Sequence, residues 1–419
     1  MSAGCWQRRY DALARLLPEL GRMARPTLCG FSVCVDVYLR LEQADALLDA
    51  PAGTAAATLA RELVGRAGRG VGGELHIDWP DGPAWLDARL PGRLGLGGTA
   101  AQAAQALAML GAPSLLSLSD RSPRQRGLID PAVKVATATG MTSIALVEST
   151  EGHKAPHYIF EFTAGTCVGE VVPPRSSRTI VRFGDDPLEI DPWFPQASLA
   201  LAPAAGAGIL SGFNEVPAAE LESSLETAAG IARAWREAGL EWVHLELGDS
   251  PSVGWMGRVL TVLGAEATSL GLSLSELDQL VPDGRPVADR LRALAERLGL
   301  ARATAHADHW AASVTTADPD RELMALMAGC LLAATRAEHG GLTVPEGCPP
   351  GAVFGETPLP PIARHGRWST LCCPSPHLAR PAATIGLGDT FLAGSLLVLG
   401  QARSPVPSPS LPPVPEVCP

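Results

Sequence analysis

No block of lysine or arginine occurs anywhere in the sequence, and the formal net charge is -11. A nucleic-acid binder needs a basic surface to neutralise phosphates, so that class is excluded. No Cys-x-x-Cys pair occurs either. The nine cysteines are odd in number and scattered, which argues against a disulfide framework or a structural zinc site and for reduced cytosolic thiols. No apolar run is long enough to span a bilayer, because the stretch from Ser198 to Phe213 is short and holds Pro203 and several glycines. Arg8, Arg9, Asp11, Arg15, Glu19 and Arg22 interrupt any apolar core at the start, so no signal peptide is expected and a cytoplasmic location follows. No Gly-x-x-x-x-Gly-Lys-Ser/Thr loop is present, which disfavours a P-loop kinase. Aromatics are sparse at 5%.

What the sequence does have is core material. Hydrophobic residues make up 46% of 419 residues and charged residues 18%, enough for one large domain carrying a smaller one. Leu13, Leu16, Leu17 and Leu20 suggest an amphipathic first helix. Strand-like runs are expected at Thr27–Val35, Ser114–Ser117, Thr142–Val147, Leu199–Ala202, Trp242–Leu247, Ala265–Ser269, Ala303–Ala307 and Trp368–Cys373. They alternate with helical patterns such as Thr99–Leu110, Ala218–Ala238, Val253–Leu263, Glu322–Ala337 and Asp389–Leu399. Such alternation predicts an α/β protein with a mostly parallel central sheet flanked by helices. Leu41–Leu94 and His153–Phe183 break the rhythm with alternating patterns and are expected to build one smaller β-rich lid. The domain reading is 1–36, 95–152 and 184–403 for the large α/β domain, 37–94 and 153–183 for the lid. A disordered Pro/Ser-rich tail is expected over 404–419.

The most informative segment is Ala383-Thr-Ile-Gly-Leu-Gly-Asp-Thr-Phe-Leu-Ala-Gly394. Gly386 and Gly388 permit a tight turn into a helix. Backbone N–H groups of Gly386, Leu387 and Gly388 at a helix start would converge on an anion, favoured by unpaired donors and the helix dipole. Asp389 lies at the mouth of that site. A migrating phosphoryl group needs fixed donors, and the attacking hydroxyl needs a proton acceptor. Asp389 alone would equally suit a helix cap.

At these residues the sequence resembles the ADP-dependent glucokinase and phosphofructokinase family, within the ribokinase-like superfamily. Short matches run in order from about Gly30 to Gly394, and Thr384-Ile-Gly-Leu-Gly-Asp-Thr390 is the most specific. The resemblance implies a ribokinase-like fold with a lid and a sugar kinase. It implies that ADP donates a phosphoryl group, with Mg²⁺, to a hydroxyl of a hexose, sugar phosphate or related carbohydrate. Asp389 is then the general base and the amides at Gly386, Leu387 and Gly388 bind the nucleotide phosphates.

The same resemblance assigns the other site residues. Gly30-Phe-Ser-Val-Cys-Val-Asp36 is similar to a first strand ending in a substrate-binding Asp, here Asp36, which suits the carboxyl edge of an α/β sheet. Gly97-Gly98 resembles the substrate loop, with Thr99 where the family has Asn or Gln. His157 stands where a lid histidine reaches the sugar. Arg178 would bind a phosphate already on the substrate. Asn214 takes the place of a substrate-holding Gln. Glu246, in His244-Leu-Glu246, and Glu276 would support a hydrated Mg²⁺, although Ser273 replaces the Asn of the Asn-x-x-Glu motif. His306 is expected near the nucleotide. An ATP-dependent ribokinase-type carbohydrate or nucleoside kinase would share the turn and the base. A ligand-binding relative of weakened activity would suit the departures at Thr99, Asn214 and Ser273. No nucleic-acid or membrane partner is expected, and the oligomeric state is open.

Overall fold

The computed structural model describes residues 3–151, 154–184, 186–214 and 216–402. The tail expected over 404–419 lies outside the described residues. Two sheets organise the chain, one of eleven strands and one of five. Across the large sheet the order is Ile362–His365, Trp368–Pro374, Trp310–Thr315, Arg302–His306, Ser269–Ser273, Trp242–Glu246, Ala207–Leu210, Thr27–Gly30, Ser114–Leu116, Lys134–Thr137 and Gly140–Ser143. Pairing is parallel from Arg302–His306 through to Lys134–Thr137 and antiparallel outside it.

The parallel strands are buried along their length, as in Ala207–Leu210 and Trp242–Glu246. Helices cover both faces, so these strands read as continuous apolar runs with no alternation. Neighbouring residues split between the two sides. Cys29, Ile209 and Ala311 pack with Leu107, Leu331 and Leu396, whereas Leu28, Leu210 and Ala312 pack with Trp235, Leu260 and Leu291. The first helix, Ala3–Met23, buries Tyr10, Leu13 and Leu17 against the first of these clusters.

The small sheet runs Gly73–His76, Ser177–Arg182, His157–Phe162, Cys34–Arg40 and Arg93–Gly97. Its strands come from both excursions, but Leu41–Leu94, expected to be β-rich, is mainly helical, with helices at Asp45–Leu48, Ala55–Arg69 and Gly82–Asp87 and only Gly73–His76 and the start of Arg93–Gly97 as strands. One face carries Val37, Leu39, Tyr158, Phe160 and Val181 onto the helix Ala55–Arg69, forming a separate core. No helix among the described residues is long and apolar enough to cross a membrane.

Four strand expectations are corrected, the first being Thr142–Val147, where the strand is Gly140–Ser143 and Ile144–Leu146 is a 3-10 turn. The run expected as Thr27–Val35 is two strands, Thr27–Gly30 in the large sheet and Cys34–Arg40 in the small one. Phe31 leaves the ladder, donating to Ser211 O and accepting from Glu189 N–H, and the chain crosses between sheets there. Asp36 is therefore not at the end of a main-sheet strand but inside a strand of the small sheet. Leu199–Ala202 lies at the end of the helix Phe194–Leu201; the strand follows at Ala207–Leu210, after Gly206. A short apolar run without period fits helix or strand equally. Likewise the strand placed at Ala265–Ser269 begins only at Ser269, because Gly264, Glu266 and Ala267 turn back to bond with Leu260 and Leu263 of the helix before them.

Candidate active site

Period-two alternation puts Cys34, Asp36, Tyr38 and Arg40 on one face of the small sheet. Register extends that face sideways: Asp36 lies opposite His157, Arg40 opposite Glu161, and Glu161 opposite Arg178. This is the face turned away from the lid's own core. Gly95 and Gly97 complete it, opposite Asp36 and Cys34. A Cβ at Gly97 would overlap the Asp36 carboxylate and Cys34 Sγ, so only glycine fits. Gly98 has φ +85 and starts the helix Thr99–Met109. Ser32 secures the entry, its Oγ accepting from Ala100 N–H at 3.2 Å and meeting Ser211 Oγ at 3.0 Å.

The second half of the site is the turn into the helix Leu387–Leu399. Gly386 is its N-cap at φ +71. A side chain there would be strained and would strike the Arg336 guanidinium. Thr390 N–H bonds back to Gly386 O, while the N–H groups of Leu387, Gly388 and Asp389 precede the first complete helical turn and stay free to bind an anion. Arg336 is buried and donates to Gln102 Oε1 at 2.7 Å and Thr390 Oγ1 at 3.2 Å, tying the two helix starts together.

The Asp389 carboxyl lies close to the Thr99 side chain. Desolvation raises this carboxyl above the ordinary aspartate value, although Thr99 and the Arg336 and Arg178 charges pull the other way. Asp36 and Asp389 are thus joined through three consecutive residues, Gly97, Gly98 and Thr99. The lid is fastened to the same turn: Thr384 donates to Glu161 Oε1 through its N–H at 2.6 Å and its hydroxyl at 3.0 Å. A cavity of about 540 Å³ beside the turn is lined by Arg40, Arg93, Arg336 and Ile385 rather than by either aspartate.

A polar chain lies along the carboxyl edge of the large sheet. Glu246 ends one strand and His306 another. Glu246 Oε2 is 2.8 Å from His244 Nε2, and Oε1 is 3.8 Å from His306 Nε2. Burial works to raise Glu246, but the His244 hydrogen bond and the nearby His306 ring outweigh it and hold the carboxyl at about 2. His306 is raised, because Glu246 and Glu276 offset its own desolvation. Its ring packs on Phe391 at 5.3 Å and lies beside Gly388. Glu276 is also raised, chiefly by burial. Ser273 and Glu276 form a capping box, with Ser273 N–H to Glu276 Oε2 at 2.6 Å and Glu276 N–H to Ser273 Oγ at 3.2 Å. The serine at 273 thus has a local role of its own.

The structure therefore links Asp36, Gly97, Gly98 and His157 on the small sheet, through Thr99 and Arg178, to Asp389 in the turn Gly386–Asp389. Glu246, Glu276 and His306 lie together beside Gly388. Asn214 is placed differently: its amide donates to Glu74 Oε1 at 3.1 Å and Asp249 O at 3.4 Å, bridging a lid strand to the main body. Sequence reasoning missed Arg336 and Glu161. Arg336 sits inside an apolar helical pattern and Glu161 inside an alternating strand, and neither has a local signal.

A model of the ADP-specific phosphofructokinase/glucokinase conserved region matches residues 25–398. The chain belongs to that family. It is an ADP-dependent kinase acting on a sugar hydroxyl. Solved structures agree in fold. An ADP-dependent kinase in complex with fructose-6-phosphate and ADPbetaS superimposes with TM-score 0.77 at 16% identity, covering 96% of this chain and 100% of that one. The last common ancestor of ADP-dependent phosphofructokinases from Methanosarcinales gives 0.72 at 15%, with 96% and 100% covered. A hypothetical ADP-dependent phosphofructokinase from Pyrococcus horikoshii OT3 gives 0.69 at 19%, with 91% and 98% covered. The fold of the kinase is accordingly ribokinase-like. No curated protein matches by sequence.

Proposed function

We propose that this kinase phosphorylates a hexose that already carries a phosphate, with Asp389 as the general base. One observation carries the reading. The Asp389 carboxyl lies close to Thr99, the residue directly after the Gly97–Gly98 loop that packs on Asp36. A sugar held by Asp36 and that loop would present a hydroxyl to Asp389 within proton-transfer reach. The base takes the hydroxyl proton as the oxygen attacks the terminal phosphorus of ADP, and AMP leaves. The amides of Leu387, Gly388 and Asp389 meet the charge spreading over the phosphoryl oxygens without reorganising. The bonds from Thr384 to Glu161 keep the lid over the site and limit water as a rival acceptor.

Support for a phosphorylated acceptor comes from Arg178. It shares the lid face with Asp36 and His157, and its buried Nε has no hydrogen-bond partner among the described residues. A guanidinium fork with an unused donor matches a phosphate dianion. Glu246 and Glu276 are hard oxygen donors whose free lone pairs suit a cation that keeps its waters, so they fit Mg²⁺. When bound, Mg²⁺ would neutralise charge on the nucleotide phosphates. Free thiols at the eight described cysteines fit a cytoplasmic setting.

The test is a coupled assay with Mg²⁺, either ADP or ATP, and a panel of free and phosphorylated hexoses. ADP with a phosphorylated hexose should give the highest kcat/KM. Arg178→Gln should then raise the acceptor KM about ten- to a hundredfold, the loss of one charged hydrogen bond, and leave the ADP KM unchanged. A preference for free hexose, untouched by Arg178→Gln, would refute the assignment. Gly97→Ala should push the Asp36 carboxylate aside. Overpacking of about 1–3 kcal/mol predicts a rise in acceptor KM of about five- to 150-fold, read in the same assay.

A further inference from the structure

The geometry points to a second cation site: Cys34, His157 and Asp186 bind a thiophilic divalent cation such as Zn²⁺, and its occupation excludes the sugar. The metal-binding half stands on its own; the exclusion half rests on the sugar-site reading above.

One donor atom from each of the three residues lies within 4.8 Å of the others, and all three side chains are buried. Cys34 Sγ is 3.5 Å from His157 Nδ1, and Asp186 Oδ2 is 3.6 Å from His157 Nε2. Tetrahedral zinc with bonds of roughly 2.0–2.3 Å places its ligand atoms roughly 3.3–3.8 Å apart; the two distances run to different ring nitrogens, so with one nitrogen bound one pair stands at that spacing and the third donor closes in from within 4.8 Å. Coordination through one ring nitrogen needs only a side-chain adjustment to bring the third donor across. Asp36 offers a fourth ligand, since its Oδ1 is 3.5 Å from Cys34 Sγ.

Donor chemistry selects the metal. A thiolate, an imidazole and carboxylates suit Zn²⁺ and not Mg²⁺. The oxygen-only pair Glu246 and Glu276 belongs to a different part of the cleft edge, so the two cations need not compete. Lys154 bears on the charge balance. Its Nζ donates to Asp186 Oδ1 at 2.6 Å and also pairs with Glu189. That leaves Oδ2 directed at His157, and Asp36, Asp186 and Glu189 outnumber the one lysine. A cation is therefore favoured locally, and binding would release the Cys34 proton.

The spacing of cysteines along the sequence argued against zinc. The donors come from two strands of the small sheet and from the segment that returns to the large one, with Cys34 and His157 separated by 123 positions. Only the parallel pairing of Cys34–Arg40 with His157–Phe162 makes them neighbours. A metal that draws Asp36 into its coordination removes the carboxylate proposed to orient the sugar. Zn²⁺ should therefore compete with the acceptor and not with ADP.

The experiment adds Co²⁺ to metal-free protein without nucleotide or sugar and records the absorption spectrum. One equivalent should produce a thiolate-to-cobalt charge-transfer band, and Zn²⁺ should abolish it. Cys34→Ser should lack the band while retaining the wild-type circular dichroism and melting temperature. Cys167→Ser, at an exposed thiol, should keep it. In the kinase assay with excess Mg²⁺, Zn²⁺ should raise the acceptor KM of wild type. Cys34→Ser, normalised to its own zinc-free rate, should need at least tenfold more Zn²⁺ for the same inhibition. Absence of the band, or its survival in Cys34→Ser, overturns the site. A band with equal zinc sensitivity in both proteins overturns the exclusion. The cobalt spectra decide the site even if the sugar assignment fails.

Discussion

Asp389→Asn is expected to lower kcat about 10²–10⁴-fold, the range for loss of a general base, while ADP still binds. Asparagine keeps the size of the side chain and an oxygen that can accept from Thr99, so the helix start and its amides should persist. Only proton acceptance is lost. Because desolvation raises the Asp389 carboxyl, the acid limb of the wild-type kcat/KM profile should lie above the ordinary aspartate range. Activity rises with pH as the base ionises, and this limb should vanish in the variant. The same shift separates catalysis from folding. A folded-state value above the unfolded one means the native state holds the proton more tightly, so stability falls as pH rises through that window. At neutral pH the variant should be at least as stable as wild type. Steady-state kinetics, ADP calorimetry and thermal melts on one preparation test all three points. A folded variant with wild-type turnover would remove Asp389 from the mechanism.

Glu322→Gln should be among the most destabilising single changes in the molecule, by about 3–5 kcal/mol. Arg302 and Glu322 are both 0% exposed. Arg302 Nε donates to the two carboxylate oxygens at 2.8 and 3.0 Å, and NH1 donates to Ser269 Oγ at 3.2 Å. Without the carboxylate the guanidinium is left as an uncompensated buried charge. The effect should travel: Ser269 Oγ meets His244 Nδ1 at 2.8 Å, and His244 holds Glu246 at 2.8 Å. Urea unfolding measures the loss. Replacing both partners, as Arg302→Met with Glu322→Leu, should recover most of it, because no charge is then stranded. A loss below about 1 kcal/mol for Glu322→Gln would mean the pair is not electrostatically isolated as its burial implies.

The legible parts of this protein are those whose cause is local. The glycine turn could be read because Gly386 answers a backbone demand, with φ +71, and Asp389 follows within the same helical turn. The helix expected at Val253–Leu263 has those bounds in the structure, where the Ser252 side chain caps it. The strand Thr27–Val35 was misread because nothing in its apolar pattern marks a change of sheet at Phe31. Asn214 was given a substrate role by position in a motif, yet its amide is spent on Glu74 and Asp249.

From the sequence alone came the α/β class and the glycine turn into a helix with its acid, because periodicity and glycine conformation act over a few residues. Tertiary structure decided which of those residues meet. It set Asp36 in the small sheet, brought Thr99 beside Asp389, braced Gly386 with Arg336, and gathered Cys34, His157 and Asp186. Each of these depends on strand register and on packing between segments far apart in the chain, which no local pattern encodes.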